Sequence, residues 1–376
     1  MIYLDNSATT QPFEAVASVV AQSMQQDFYN PSALYKPALE TTLKIRVARQ
    51  AVATLLQVPA QHIVFTSGAT ESNNLALTGT INTVRSGNLV TTQIEHPSVL
   101  EVFRYFARRG ADVRYICPNA DGTITADCLA GCVDENTKLV SIQHVNNETG
   151  AVQDLRALAD AVKRIAPGAI FHVDGVQGYG RIKADITKVD YYSASAHKIN
   201  GPKGIGFLYV KTLNRLQGVQ LGGGQEKNNR SGTENTPAIL GFGCAAQQYA
   251  AHMEQYASQM MEQKLLYHNA FAQMGAVVNG PQPQLGAPHI LNVSYPGVPG
   301  EILVHVLESM GVFIGVGSAC SSHAGKISPV LQSMKVPAAQ AKSAVRISLS
   351  PLNTSAEALV AIEKFKEALY SLQRIR

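Results

Sequence analysis

Short runs rich in β-branched and aromatic residues alternate with longer helical stretches from about Gln61 onward. Three of these stretches, GATESNNLALTG, PSVLEVFRYFARRG and LRALADAVKRIA, predict helices, because their apolar residues recur at helical spacing. The runs between and after them predict strands: HIVFTS, NLVTTQI, TKLVSIQHV, AIFHVD, DYYSAS and GIGFLYV. Such alternation predicts a parallel or mixed sheet with helices on both faces.

The pattern changes in the last third of the chain. Few helix breakers interrupt the stretch from Pro237 to Met274, which predicts one long helix that connects two domains. The runs that follow predict a smaller α+β domain: HILNVSY, GEILVHVLESMG, VFIGVGS, VRISLS and SAEALVAIEKFKEALYSL. We place a large domain at 13–255 and a small domain at 256–376, joined by an N-terminal segment at 1–12.

Composition narrows the function classes. The 376 residues are 45% hydrophobic and 15% charged, which suits two folded domains and excludes a disordered protein. The net charge of +4 without a block of like charges gives no support to nucleic-acid binding. Neither a signal peptide nor a membrane-length apolar run is apparent. Five cysteines without a CxxC pair or zinc-like spacing favour a reduced, cytoplasmic protein without a metal site.

Polar side chains follow several predicted strands, where ligands bind in open α/β sheets. After HIVF, the segment Gly68–Ala69–Thr70 begins a helix, and its free amides suit an anion such as phosphate. On this motif alone, a helix cap by Thr70 or Ser67 is the better interpretation. Asp174 ends a buried strand and therefore needs a cationic partner, which is either a pyridinium nitrogen or a Lys or Arg. Gln177 could donate to an anionic ring oxygen.

Four further residue types complete the chemistry. Lys198 follows a strand in SAHKINGPKG, and a desolvated lysine with a lowered pKa can form a Schiff base with a carbonyl cofactor. Arg346 lies among apolar residues and suits either a substrate carboxylate or a structural salt bridge. His96 either contacts an aromatic ligand or caps a helix. Cys320, in the small and polar run GVGSACSSHAG, is a candidate nucleophile. Together these groups describe pyridoxal phosphate (PLP) acting on an amino acid.

Eight motifs in order along the chain carry a family resemblance: YLDNSATT, FTSGATESNNLA, EHPSVL, HVNNETG, HVDGVQ, SAHKINGPKG, RSGTENTP and GSACSS. The sequence resembles the NifS-like cysteine desulfurases of group I, within the class V aminotransferase-type PLP enzymes. The resemblance implies PLP fold type I, with a mixed, mainly parallel seven-stranded sheet between helices and a smaller α+β domain. It also implies a homodimer that converts L-cysteine to L-alanine.

The resemblance assigns a role to each candidate. Lys198 would hold the cofactor and move the substrate α-proton, Asp174 would pair with the ring nitrogen, and Gln177 would bind the ring hydroxyl. His96 would stack on the ring and take part in proton transfer, and Cys320 would take the sulfur as a persulfide. The phosphate would be bound by Ala69, Thr70, Ser195 and His197, together with Thr233 donated by the partner subunit. The substrate carboxylate would be bound by Asn147 and Arg346, and Asn147 also belongs to the cofactor site.

Two positions depart from the family pattern, and three other functions are alternatives to a cysteine desulfurase. Tyr35 and Leu221 stand where relatives commonly have histidine. A selenocysteine lyase or a class V aminotransferase is the alternative enzyme, and an idle sulfur carrier is the non-enzymatic one. The persulfide would pass to an acceptor protein, either a tRNA thiolation enzyme or an iron–sulfur scaffold. Because the sequence ends at SLQRIR, we expect a dedicated thiolation partner more readily than a general scaffold.

Overall fold

A computed structural model of the chain describes residues 1–317 and 327–374. Its largest element is a seven-stranded sheet with the order β2-β8-β7-β6-β5-β3-β4. The strands are β1 (Ile2–Tyr3), β2 (Ile63–Thr66), β3 (Asn88–Thr92), β4 (Asp112–Ile116), β5 (Thr137–Ser141), β6 (Ile170–Asp174), β7 (Tyr191–Ser195), β8 (Gly206–Val210), β9 (Val277–Val278), β10 (Ile290–Ser294), β11 (Val312–Phe313) and β12 (Ala344–Ser348). Only β8 runs against its neighbours in the large sheet.

Helices cover both faces of this sheet. They are α1 (Glu14–Gln26), α2 (Lys36–Leu56), α3 (Ala69–Ile81), α4 (Pro97–Ala107), α5 (Leu155–Ile165), α6 (Thr236–Gln273), α7 (Gly300–Ser309), α8 (Pro329–Ser333), α9 (Ala338–Lys342) and α10 (Ser355–Arg374). Alternate residues of each strand face opposite ways, so Phe207 packs in the core with α2, α5 and α6, whereas Leu208 packs in the core with α3. The predicted α/β fold is confirmed.

A second hydrophobic core lies at the other end of α6. It is built around the antiparallel sheet β12-β10-β9 together with α7, α10 and the parallel pair β1-β11. The first strand of the chain therefore belongs to the same core as the last helix. The two cores agree with a large and a small domain, and the exact boundary at residues 255 and 256 stays a prediction, since α6 runs across it.

Several elements have no counterpart in the hydrophobic pattern. The helix α2 buries Ile45 and Val52 on one side but exposes Leu39, Leu43 and Val47 on another, so its pattern is apolar on two faces. The strand β4 forms the edge of the sheet and reads Asp-Val-Arg-Tyr-Ile, a mixture that does not predict burial. Within the described ranges, no helix is long and apolar enough to cross a membrane.

Candidate active site

The carboxyl ends of β2, β6 and β7 meet at one edge of the large sheet and border a cleft of about 510 Å³. Parallel strands bring sequence-distant loops together there. The cleft is lined by ten residues that the sequence singled out: Ala69, Thr70, His96, Asn147, Asp174, Gln177, Ser195, His197, Lys198 and Arg346. Cys320 lies outside the described residues. Thr233 does not line this cleft but a separate, exposed depression beside Phe28 and Pro237.

The N-terminus of α3 opens into the cleft without a side-chain cap. The N-cap residue is Gly68, at φ +155° and ψ 176°, a conformation that is essentially restricted to glycine. The interpretation of Ser67 or Thr70 as a helix cap is therefore wrong, because the chain turns into the helix through Gly68 instead. The first amides of a helix have no partner within it, so those of Ala69 and Thr70 are available to an anion.

Asp174 is a buried carboxylate at the end of β6, only 6% exposed. Its Oδ2 accepts a hydrogen bond from Asn73 Nδ2 at 2.9 Å, and its Oδ1 accepts one from the Val176 amide at 3.1 Å. No Lys or Arg in the described parts of the chain forms an ion pair with it, so the alternative of a structural salt bridge is not realised there. A buried carboxylate without a cation fits a positively charged ligand group.

Lys198 follows β7 in a short 3-10 turn, and its Nζ points back to the N-terminal segment. It donates to the carbonyl oxygen of Ser7 and, at 2.7 Å, to that of Ala8. Burial lowers the pKa of this amine to about 7, and the positive charges of Arg346 and Arg181 act in the same direction. A substantial fraction of Lys198 is therefore uncharged near neutral pH, the form that attacks a carbonyl carbon. Lys203, at the mouth of the same cleft, is exposed.

His96 is a helix cap, as one interpretation of its motif predicted, and it also lies at the cleft. It is the N-cap of α4, where its Nδ1 accepts from the Ser98 amide at 3.1 Å, and it also lines the cleft. Because Nδ1 accepts this bond, the neutral ring carries its proton on Nε2. Burial lowers the pKa of His96, which Asp174 opposes and Lys198 reinforces. The hydroxyl of Ser98 lies 2.8 Å from Nδ1 and accepts from Asn73, which links His96 to Asp174.

Arg346 forms the predicted structural salt bridge and also lines the cleft. It lies on β12, almost fully buried, and its Nη2 forms an ion pair with Asp5 Oδ1 at 2.6 Å. Its Nη1 donates to the backbone carbonyl of Asn147 at 2.9 Å. The guanidinium nevertheless lines the cleft beside Asn147, so it spans the small sheet, the N-terminal segment and the cofactor side of the large sheet. Among the described cleft residues, it is the one supplied by a strand of the second core.

The remaining histidines near the sheet edge are neutral. Burial, followed by the nearby positive charge of Lys198, lowers the pKa of His197 to about 3, and its Nδ1 lies 3.1 Å from Thr9 Oγ1. His172 is fully buried, lies 2.8 Å from Ser141 Oγ, and has a pKa lowered to about 3 by burial alone. Across residues 1–317 and 327–374, no cluster of three or more His, Cys, Asp or Glu side chains could hold a metal ion.

Sequence reasoning missed several residues of the site. The segment from Ser7 to Thr9 lines the cleft, although YLDNSATT served only as a family motif. Asn73 follows Thr70 by one helical turn, a spacing that places both on one side of α3 and could have identified it. Asp5 could not be assigned, because its partner Arg346 lies 341 residues further along the chain.

These groups fit the polar parts of PLP. The amides at the start of α3 suit its phosphate, the uncompensated Asp174 suits a protonated ring nitrogen, and the Lys198 amine suits its carbonyl carbon. Arg346 leaves a cation at the cleft for the carboxylate of an amino acid.

Known proteins agree with this arrangement. The family model described as aminotransferase class-V matches residues 2–359. A cysteine desulfurase IscS from Photorhabdus laumondii subsp. laumondii is 37% identical and covers 100% of this chain and 94% of its own. A solved NifS-like protein has a TM-score of 0.92 at 33% identity, over 98% of this chain and 99% of that one. The structure of SspA in complex with cysteine has a TM-score of 0.81 at 31% identity, over 94% and 100%.

The fold and the cleft therefore define a PLP-dependent enzyme of fold type I. More narrowly, the chain belongs to the class-V aminotransferase family. The family resemblance, the fold class and the cofactor predicted from the sequence are confirmed, whereas the role of each site residue stays a prediction.

Proposed function

We propose that this chain is a cysteine desulfurase that converts L-cysteine to L-alanine and transfers the sulfur to Cys320 as a persulfide. The observation that carries the proposal is the meeting of Lys198, Asp174 and Arg346 in one cleft, with a neutral-amine lysine, an uncompensated carboxylate and a cation for the substrate. The names of its relatives, a cysteine desulfurase and a protein solved with cysteine, support the choice of substrate.

The residues that would hold PLP follow from the cleft. Ala69, Thr70, Ser195 and His197 would bind its phosphate, and Asp174 its ring nitrogen. Gln177 would donate to the ring hydroxyl through the second N–H of its Nε2, since the first is donated to the Ser7 carbonyl and its Oε1 accepts from Arg181. When bound, PLP withdraws electrons from the α-carbon of an amino acid.

The chain's own side chains orient the substrate and move its protons. Arg346 and Asn147 would bind the carboxylate, which fixes the α-carbon relative to Lys198. The uncharged Lys198 amine accepts the α-proton and, once protonated, returns it as an acid. The Nε2–H of His96 is the donor available to a group in the cleft, since its Nδ1 is engaged with Ser98.

Sulfur transfer requires a thiolate as the acceptor. The Cys320 sulfur attacks the sulfur of cysteine, an S–S bond forms, and the C–S bond breaks with its electron pair left on the substrate carbon. A proton on that carbon completes alanine. Cysteine and the Cys320 thiol thus become alanine and a persulfide: the two sulfur atoms together lose two electrons, the β-carbon gains them, and no outside oxidant or reductant takes part.

The same cleft suits two alternative reactions. A class V aminotransferase would release a 2-oxo acid and would not need Cys320, and a selenocysteine lyase would prefer the heavier chalcogen. Purified protein supplied with L-cysteine and a thiol reductant should form alanine and sulfide in equal amounts, without amino transfer to added pyruvate or 2-oxoglutarate. Amino transfer without sulfide would contradict the proposal, and a marked preference for selenocysteine would reassign the substrate.

We further propose that the active unit is a homodimer in the cytoplasm. An exposed apolar stripe of Leu39, Leu43 and Val47 along α2 offers a surface for the second copy. Thr233 is exposed and lies outside its own cleft, as a residue donated to a partner's phosphate site would. Arg230, three residues earlier, pairs with Glu71 in the first turn of α3 at 2.8 Å, which fixes that segment beside the N-terminus of α3.

Subunit mixing tests the shared site. A heterodimer of Lys198→Ala and Thr233→Ala subunits places both lesions in one site and leaves the other intact, if Thr233 crosses to the partner. We expect each parent homodimer to be weak or inactive, and the heterodimer to recover up to about half of the wild-type rate. Activity no higher than either parent in purified heterodimers would contradict a shared site.

The sulfur acceptor is a separate protein in this proposal. The persulfide on Cys320 would be handed to a tRNA thiolation enzyme or an iron–sulfur scaffold in a reducing compartment. Four cysteines in the described residues, at 117, 128, 132 and 244, are free thiols, which fits such a compartment. Transfer rates to both kinds of acceptor, measured side by side with the same persulfide-loaded protein, would identify the preferred one.

A further inference from the structure

Arg181 is a buried cation without an anionic partner in the described part of the chain. It is 2% exposed and lies in the turn after β6, which Gly180, at φ +72°, directs back beneath the cleft. Its Nε has no hydrogen-bond partner among the described residues. An isolated buried charge is costly, and it is retained only where it performs a task or where surrounding dipoles compensate it.

Two neighbours of Arg181 belong to the cofactor site, and the Tyr249 hydroxyl of α6 is a further polar neighbour. Its Nη1 donates to Gln177 Oε1 at 2.9 Å, and its Nη2 donates to the backbone carbonyl of Lys198. The guanidinium of Arg181 therefore connects the side chain of Gln177, which follows β6, to the backbone of Lys198, which follows β7. Arg181 does not line the cleft itself, so it acts through these two residues.

The bond to Gln177 determines which face of the amide reaches the cleft. Gln177 Oε1 lies between Arg181 Nη1 and His289 Nε2, the latter at 3.3 Å, whereas Nε2 donates to the Ser7 carbonyl at 3.0 Å. A flipped amide would place its N–H groups against the guanidinium and its oxygen against a carbonyl. Arg181 thus fixes Gln177 as a hydrogen-bond donor toward the cleft, and a donor matches an anionic ring oxygen.

The charge of Arg181 acts on the Lys198 amine. Seven charged or titratable groups interact electrostatically with that amine: Arg346, Asp5, Asp174, His96, His197, His289 and Arg181 itself. Asp5 and Asp174 favour the protonated amine, and burial lowers the pKa of the three histidines so that they carry little charge at neutral pH. Arg181 and Arg346 are thus the two permanent cations that oppose protonation of Lys198.

We propose that Arg181 is a positioning residue of the cofactor site, which fixes the donor face of Gln177, anchors the backbone of Lys198 and places a positive charge near the Lys198 amine. The proposal rests on the proposed function only in taking PLP as the cofactor. Substitutions of Arg181 can separate the effect of its charge from the effect of its two hydrogen bonds, because only the hydrogen bonds depend on the geometry of the guanidinium fork.

Two variants and one matched control test the proposal. Arg181→Met removes the charge and both bonds, and Arg181→Lys keeps the charge but cannot span Gln177 and Lys198 together. Lys264→Met removes another buried cation, which donates to the Ala287 carbonyl at 2.9 Å and has no bond to Gln177 or Lys198. The pKa of Lys198 is measured in cofactor-free, full-length protein from the pH dependence of trace acetylation, followed on its peptide by mass spectrometry.

In Arg181→Met we expect the pKa of Lys198 to rise by roughly one unit. In Arg181→Lys it should stay near its parental value, while the equilibrium dissociation constant for PLP rises about tenfold because the Gln177 donor is no longer fixed. Lys264→Met should change neither quantity. A PLP affinity unchanged in Arg181→Lys, or a lower melting temperature with no change in either quantity, would overturn the proposal.

If Arg181→Met does not fold, Arg181→Lys alone decides, since an unchanged PLP affinity there contradicts the proposal. The proposed desulfurase reaction is tested separately, because neither measurement uses cysteine. Protein that shows both expected shifts but forms no sulfide would refute the reaction and keep Arg181 in its role.

Discussion

Replacing Lys198 with alanine should remove the cofactor-linked colour of the purified protein and lower cysteine turnover by about 10³-fold or more. The reason is that Lys198 is the one lysine in the described residues that lies half-buried in the cleft with a pKa lowered to about 7. Its amine lies between the Ser7 and Ala8 carbonyls, beside Asp174 and Arg346, so no other described lysine can replace it. The absorbance spectrum and the rate of alanine formation report the two effects.

Lys203→Ala is the matched control. Lys203 borders the same cleft but is exposed, so its loss should leave the spectrum unchanged and reduce turnover by no more than a fewfold. The contradictory result is a Lys198→Ala protein with an unaltered spectrum, which would move the cofactor link to another lysine.

Replacing Cys320 with serine should leave the cofactor spectrum and cysteine binding intact but reduce sulfide release by roughly 10³-fold. Serine preserves the size of the side chain but is a far weaker nucleophile toward sulfur at neutral pH. The rate is measured as sulfide formed under a thiol reductant, with the spectral change on cysteine addition as the test of binding.

Cys117→Ser and Cys244→Ser are the controls for this variant. Cys117 is exposed at the end of β4, and burial raises the pKa of Cys244 in α6, so neither is an activated thiol in the cleft. Both controls should retain nearly full activity. Parental sulfide release by Cys320→Ser would refute Cys320 as the acceptor.

The sequence was informative where buried strands end in polar residues. Asp174 and Lys198 were predicted as chemical groups because each follows a buried strand, and parallel strands bring such positions to one edge. The same logic could not find Asp5 or decide between the two interactions of Arg346. Both facts depend on a contact between the first and last parts of the chain, which no local pattern encodes.

Local sequence patterns also failed to predict the start of α3 and the burial of Arg181. The motif at α3 resembles a capping box, yet Gly68 is the N-cap, and Glu71 Oε2 instead accepts from the Ser67 amide at 2.7 Å. The amides of the first turn thereby stay free for a ligand. Arg181 was invisible for a related reason: an arginine in a turn predicts a surface residue, and only the fold shows that it is buried beneath Gln177.

A single turnover without reductant shows whether sulfur passes from cysteine to Cys320 as alanine forms. Protein mixed with one equivalent of L-cysteine would be quenched and divided between amino-acid analysis and mass spectrometry of the Cys320 peptide. We expect alanine to appear in step with the gain of one sulfur atom on that peptide. Alanine formed while the Cys320 peptide stays unchanged, or sulfur found on another cysteine at the same rate, would contradict it.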